Sequence, residues 1–155
     1  MRHDEFTMME RRSDGGPDPD SVVCPPALAK YDLVELASGL ILLPGQGCRD
    51  PQTNACVGIT RGATGEIESY DIRAQTEGVF RNVEALLMSR GLNRSNIVDV
   101  TVFMRSKGDF NAMNEVWNAF FADCEQPPAR TTVFVVDLPG DNFIEMKAQA
   151  SRIAR

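Results

Sequence analysis

Apolar and polar positions alternate along residues 31–36 (YDLVEL), and a second apolar run, 40–43 (LILL), follows Ser38-Gly39. A period of two sends successive side chains to opposite faces of a strand, so this stretch predicts a hairpin. Residues 44–65 lose all periodicity and fill with Gly, Pro, Asn and Thr, which predicts a long loop holding one short strand at 55–58. Loops of that length inside a compact domain are often functional. The period then changes. Ile72, Thr76, Val79, Val83, Leu86 and Leu87 fall on one helical stripe, with Asp71 placed as N-cap and Gly91 as C-cap. Residues 97–104 (IVDVTVFM) read as a β-branched strand. Phe110, Met113, Val116, Trp117, Phe120 and Phe121 form the wide apolar face of a second helix capped by Asp109. After Pro127-Pro128, residues 129–148 read as two strands joined by a Pro-Gly turn.

The order β-β-(β)-α-β-α-β-β predicts an α+β domain with both helices packed on one sheet. Two helices cover only one face. The other face also carries Val, Phe and Leu, so it needs a partner, and a homo-oligomer with packed sheets is the simple solution. Residues 1–23, rich in Asp, Gly, Pro and Arg, read as a flexible N-terminal tail. Residues 24–155 read as a single domain.

Composition narrows the function. At 155 residues the chain has the length of one domain, and a net charge of −6 argues against nucleic acid as a partner. No apolar run suffices for a membrane span and the N-terminus has no signal-like apolar core, so the expected compartment is the cytoplasm. The four cysteines, Cys24, Cys48, Cys56 and Cys124, show no C-x-x-C spacing, and the one histidine is His3. A Cys/His metal site and a histidine-assisted nucleophile are both disfavoured.

The candidate chemistry sits in PPARTTVFVVDLPGDNFIEMKA, residues 127–148. Arg130, Thr132, Phe134 and Val136 share one face of their strand; Phe143, Glu145 and Lys147 share one face of the next. If those faces coincide, an arginine and a carboxylate meet beside aromatic surface. Otherwise both are ordinary solvated strand residues. LLPGQG, residues 42–47, lacks phosphate-loop spacing and reads as a strand turning into a loop. Cys48 in that loop has no histidine partner. Trp117 and the phenylalanines read as helix core rather than a stacking platform.

SGLILLPGQG, DIRAQTEGVFRNVEALL, VTVFM, DFNAMNEVWNAFF, PPARTTV and IEMKA, in that order from about residue 27 to 150, resemble the Rid (reactive intermediate deaminase) superfamily. The resemblance implies a chorismate-mutase-like fold assembled as a homotrimer, with active sites between neighbouring subunits. It implies that Arg130 binds a substrate carboxylate and that Glu145 holds the water near the reacting carbon. Asn114, Tyr31 and Gly45 match further site positions. Pro44 stands where many members have serine, and Thr132 where many have cysteine; both bear on the usual serine- and threonine-derived enamine substrates. DIRAQT, Arg49, Pro51, the Val57-Gly58 segment and ARTTV look like the 2-aminomuconate deaminases of this superfamily.

The reaction so implied is hydrolysis of an enamine or imine to a 2-oxo acid and ammonia, with no cofactor required. The partner is a small, carboxylate-bearing substrate. A dicarboxylate such as 2-aminomuconate needs a second cation, for which Arg49 is the candidate and Lys147 stands behind it; Thr132 can donate a hydrogen bond. The alternatives are a general imine deaminase and a non-catalytic ligand-binding trimer. An RNA-cleaving role, attributed to some relatives, fits the acidic charge and scarce histidine poorly.

Overall fold

One eight-residue strand organises the molecule. In the computed structural model, which describes residues 22–153, strand β5 (Ile97–Met104) runs between two partners. The other strands are β1 (Val34–Glu35), β2 (Leu40–Leu42), β3 (Ile59–Arg61), β4 (Ile67–Tyr70), β6 (Ala129–Phe134) and β7 (Ile144–Ser151). Five of them form one sheet in the order β1-β2-β7-β5-β6, and β3-β4 make a separate hairpin. β6 joins β5 in parallel; every other pairing in the sheet is antiparallel. The sheet is mixed because α2 (Phe110–Phe120) carries the chain back from the end of β5 to the start of β6.

Strand alternation decides what is buried. Val100, Val102 and Met104 of β5 point to the same side as Ile144, Met146 and Ala148 of β7, and all six are buried. α1 (Ile72–Met88) and α2 close over that side, adding Val79, Val83, Leu87, Met113 and Trp117 to one continuous core. Burial of this kind is worth about 1.5–3 kcal/mol per large side chain and supplies most of what holds the helices to the sheet.

The α1 boundaries follow from their residues. Asp71 accepts from the amides of Arg73 and Ala74 at 2.9 and 3.3 Å. At the other end Gly91 takes φ +70°, which lets the Leu92 amide reach back to the Leu87 carbonyl at 3.0 Å. α2 starts differently from expectation. Asp109 makes no capping bond and instead accepts from the Tyr70 hydroxyl at 2.8 Å, while Ser106 caps the short 3-10 turn that leads in.

Two further differences are instructive. The expected strand at 55–58 is a single bridge, Arg49 to Cys56, and the loop instead resolves into the β3-β4 hairpin. Its apolar positions are too few to show a period. β6 and β7 are not a hairpin, because β5 lies between them. The expected tail falls outside the described residues except for Val22 and Val23.

Among the described residues no helix covers the opposite face of the sheet. There Val34, Leu36 and Val133 remain 49%, 44% and 37% exposed, with Glu145 and Lys147 beside them. Among the described residues no helix is long and apolar enough to cross a membrane.

Candidate functional site

Glu145 lies on the uncovered face of β7. Its strand neighbours Ile144 and Met146 point into the core, so alternation forces the carboxylate outward. The chain at residues 44–47 then closes over it. Gln46 exchanges both backbone hydrogen bonds with Met146, at 2.8 and 2.9 Å, which pins this loop along β7. Gly45 is held so close that a Cβ there would stand 2.5 Å from Glu145 Oε1. Only glycine lets the backbone approach in this way. Half-burial raises the Glu145 pKa above its ordinary value, by desolvation of the charged form.

A hollow of about 230 Å³ adjoins the same loop and is lined by Tyr31, Gly45, Gln46 and Arg49. Glu145 does not line it; Gly45 borders both. The Arg49 guanidinium donates to Asn54 Oδ1 and, at 2.8 Å, to the Pro26 carbonyl. Both acceptors are neutral, so its charge is not cancelled by them. Tyr31 is exposed, its hydroxyl accepting from the Leu28 amide at 3.3 Å.

Arg130 occupies the other face, on the edge strand β6. Its guanidinium lies 4.7 Å from the Trp117 ring centroid and 5.8 Å from that of Phe110, and donates to Met113 Sδ at 3.8 Å. Trp117 is helix core, as expected, and also serves as a platform for this cation. The planar, weakly hydrated guanidinium suits such a site better than an ammonium would. Burial lowers its pKa from the ordinary value. Among the described residues no carboxylate pairs with Arg130. Thr132, two residues on, shares its face, and the buried Thr132 hydroxyl has no hydrogen-bond partner. Helical spacing sets Asn114 between Phe110 and Trp117 on one stripe of α2, beside the rings that Arg130 covers.

The candidate residues thus form two groups, and the register keeps them apart. Arg130 pairs with Val100, whereas Glu145 pairs with Phe103. An odd offset of three rows places them on opposite faces. With β5 between their strands, their Cα atoms stand roughly 14 Å apart. Within one chain the two faces do not coincide. A larger hollow, about 730 Å³, lies between α1 and α2 on the outer side of the helices, lined by residues such as Phe80, Glu84, Arg94 and Phe120. It includes none of the candidate residues. Among the described residues no three His, Cys, Asp or Glu side chains gather as a metal site would.

Three buried amides that the sequence reading passed over hold the Glu145 group in place. Asn82 donates to the Gly47 and Arg49 carbonyls at 2.9 and 2.8 Å. Gln75 donates to the Asp141 carbonyl and accepts from the Phe143 amide, at 2.9 and 2.8 Å, fixing the entry into β7. Asn142 Oδ1 accepts from the Cys48 amide at 2.9 Å. Gln75 and Asn82 are detectable as polar residues on the buried side of α1, where an apolar residue is the default.

This fold and these motifs have known counterparts. The family profile described as Endoribonuclease L-PSP matches residues 23–152. The chain belongs to that family. Among its relatives, a RutC family protein of Pyrococcus abyssi is 36% identical over 126 residues, covering 81% of this chain and 89% of that protein. A RutC family protein of Haemophilus influenzae is 35% identical over 130 residues, covering 83% and 91%. The E. coli YjgF structure superimposes with a TM-score of 0.70 at 32% identity, over 86% of this chain and 96% of that one. The structure of E. coli TdcF with bound serine matches with the same values. RidA from a Psychrobacter species follows at 26% identity and a TM-score of 0.70, over 84% and 95% of the two chains. The two helices on a mixed sheet are the architecture of this Endoribonuclease L-PSP (RutC/Rid) family.

Proposed function

We propose that the protein is a deaminase that hydrolyses an enamine or imine carboxylate to a 2-oxo acid and ammonia, working as a homotrimer whose sites form between chains. One observation carries this reading. An unpaired, aromatic-backed arginine with an unsatisfied threonine hydroxyl stands on one face, and a half-buried carboxylate stands on the other. Each is half of a carboxylate-binding hydrolytic site, and a second copy against the uncovered face brings the halves together. The serine bound in the TdcF structure supports a site of amino-acid size in this family.

The chemistry follows from the two groups. Arg130 grips the substrate carboxylate through paired N–H donors, with Asn114 and Thr132 offering hydrogen bonds beside it. The enamine tautomerises to the imine, whose protonated form is electrophilic at carbon. Glu145 takes a proton from water as its oxygen bonds to that carbon, and the C=N electron pair moves to nitrogen. Glu145 returns that proton to nitrogen and then takes the proton of the new hydroxyl as C=O forms, the C–N bond breaks and ammonia leaves. General acid-base help of this kind is worth about 10²–10⁴-fold. Desolvation lifts the Glu145 pKa towards the range where it both accepts and returns a proton, while an incoming Arg130 opposes that lift.

The substrate we favour is 2-aminomuconate or a close analogue. The uncancelled charge of Arg49 beside Gly45 and Tyr31 supplies the second cation a dicarboxylate requires, with Lys147 on the same sheet face as Glu145. Ammonia release from freshly generated 2-aminomuconate, measured beside 2-iminopropionate, tests this. A preference for the dicarboxylate that is lost in Arg49→Ala supports the reading. Equal turnover of both indicates a general imine deaminase, and no release from either indicates a ligand-binding trimer.

A further inference from the structure

The loop that covers Glu145 contains two thiols held on a single acceptor. Cys48 Sγ and Cys56 Sγ lie 3.2 and 3.5 Å from Asn142 Oδ1. The strands that carry them are bridged at Arg49 and Cys56, with the Val57 amide on the Cys48 carbonyl and the Asp50 amide on the Ala55 carbonyl. Cys48 is fully buried, Cys56 is partly exposed, and both are free thiols. Nothing in the deamination chemistry uses either one.

We propose that Cys48 and Cys56 form a peroxide-reactive dithiol, with Cys56 the attacking sulfur and Cys48 the resolving one. The roles follow from access and environment. Cys56 is the more exposed residue of the two. When Cys56 ionises, the Cys48 thiol turns its one S–H from Asn142 Oδ1 to the thiolate and lowers the Cys56 pKa to about 7, with the Asp141 amide assisting. Cys56 therefore carries more thiolate at neutral pH than an ordinary cysteine, of which about 3% is ionised at pH 7. The same contact, together with burial, pushes Cys48 up, so only one of the pair ionises.

The Cys56 thiolate attacks one oxygen of a hydroperoxide. The O–O bond breaks, the outer oxygen takes a proton from solvent and leaves as an alcohol or water, and Cys56 becomes a sulfenic acid. With its thiolate gone, the contact that most suppressed Cys48 is gone too. Cys48 sulfur then displaces the sulfenic oxygen, which departs as water with the Cys48 proton, and a disulfide remains. Two thiols have given two electrons to one peroxide. The bond closes a short ring of chain that includes Arg49, tying down the loop next to the carboxylate.

Hydrogen peroxide on the full-length protein, followed by quenching and maleimide labelling under denaturing conditions, tests this independently of any deaminase assay. Labelling should fall from four thiols to two, with a loss of about 2 Da in intact mass. The Cys24→Ser/Cys124→Ser protein should fall from two to none. Cys56→Ser should keep its remaining three thiols under the same exposure. The rate should be half-maximal near pH 7. Retention of four thiols in the unaltered protein, retention of both in the double variant, chain-to-chain linkage, or a midpoint near pH 8.5 overturns the proposal. The double variant alters only partly exposed positions, so it decides the matter if Cys56→Ser does not fold.

Discussion

Replacing Gly45 by alanine adds a single methyl group at the closest backbone approach to Glu145. That methyl would stand 2.5 Å from Oε1, where ordinary contact begins near 3.4 Å. The carboxylate must withdraw by about 0.9 Å, because the backbone here is fixed by both Gln46–Met146 bonds while the end of a glutamate can rotate. Folding should scarcely notice. Gly45 is not at positive φ, and loss of unfolded-state freedom favours alanine by about 0.4–1 kcal/mol, offsetting the displaced side chain. Catalysis should notice a great deal. A displacement near 1 Å of a group that must address a water and a carbon costs about 10²-fold in rate. Steady-state ammonia release and a thermal melt on the same sample separate the two effects. The expected result is kcat reduced about 10²-fold, with Tm within about 3 °C of the unaltered protein. A Gly45→Ala enzyme with kcat within twofold would refute the placement of Glu145 at the reacting carbon.

Arg130→Ala should lower kcat/KM by at least about 10²-fold, since hydrogen bonds to a charged group are worth about 1.5–3 kcal/mol each; Arg130→Lys should fail similarly for want of a planar fork, and either variant at full activity removes the carboxylate grip. The raised pKa of Glu145 means that the folded state holds its proton more tightly than the unfolded state, so its contribution to stability is full at acid pH and is lost as pH rises through the folded pKa. In an Arg130→Ala background, Glu145→Gln should therefore raise Tm at pH 7 and leave it nearly unchanged at pH 4; equal shifts at both pH values would remove burial as the cause. Asn142→Ala strands the buried Cys48 amide and should cost about 1–3 kcal/mol in urea unfolding, with little loss counting against the loop anchor.

Much of this was legible in the chain because local rules and the fold agree. The Asp71 cap, the left-handed Gly91 and the alternation of 97–104 each reappear in the structure, since one local physical demand fixes each of them. The β3-β4 hairpin was not legible, because Ile59, Ile67 and Tyr70 are too sparse to reveal a period. Asp109 looked like a cap but is occupied by Tyr70, a partner that only the folded chain brings near. The sequence left open whether the two strand faces coincide. Periodicity shows correctly that Arg130 goes with Thr132, and Glu145 with Lys147, yet it is silent on how one strand registers against another. The parallel pairing of β6 through β5 sets the two groups on opposite sides, which strand-by-strand reading cannot foresee. The supporting amides were hidden for a related reason. Asn142 gains its meaning from Cys48, ninety-four positions away in the chain.

The central claim is that Arg130 from one chain completes the Glu145 half-site of another. Co-expressing equal amounts of Arg130→Ala and Glu145→Gln chains, each inactive alone, tests it directly. In a randomly mixed trimer with sites between neighbours, about one site in four receives an intact arginine from one chain and an intact glutamate from the next. Recovery of about a quarter of full activity is the predicted result. A mixed assembly as inactive as its parents would show that the two residues do not meet across a subunit boundary.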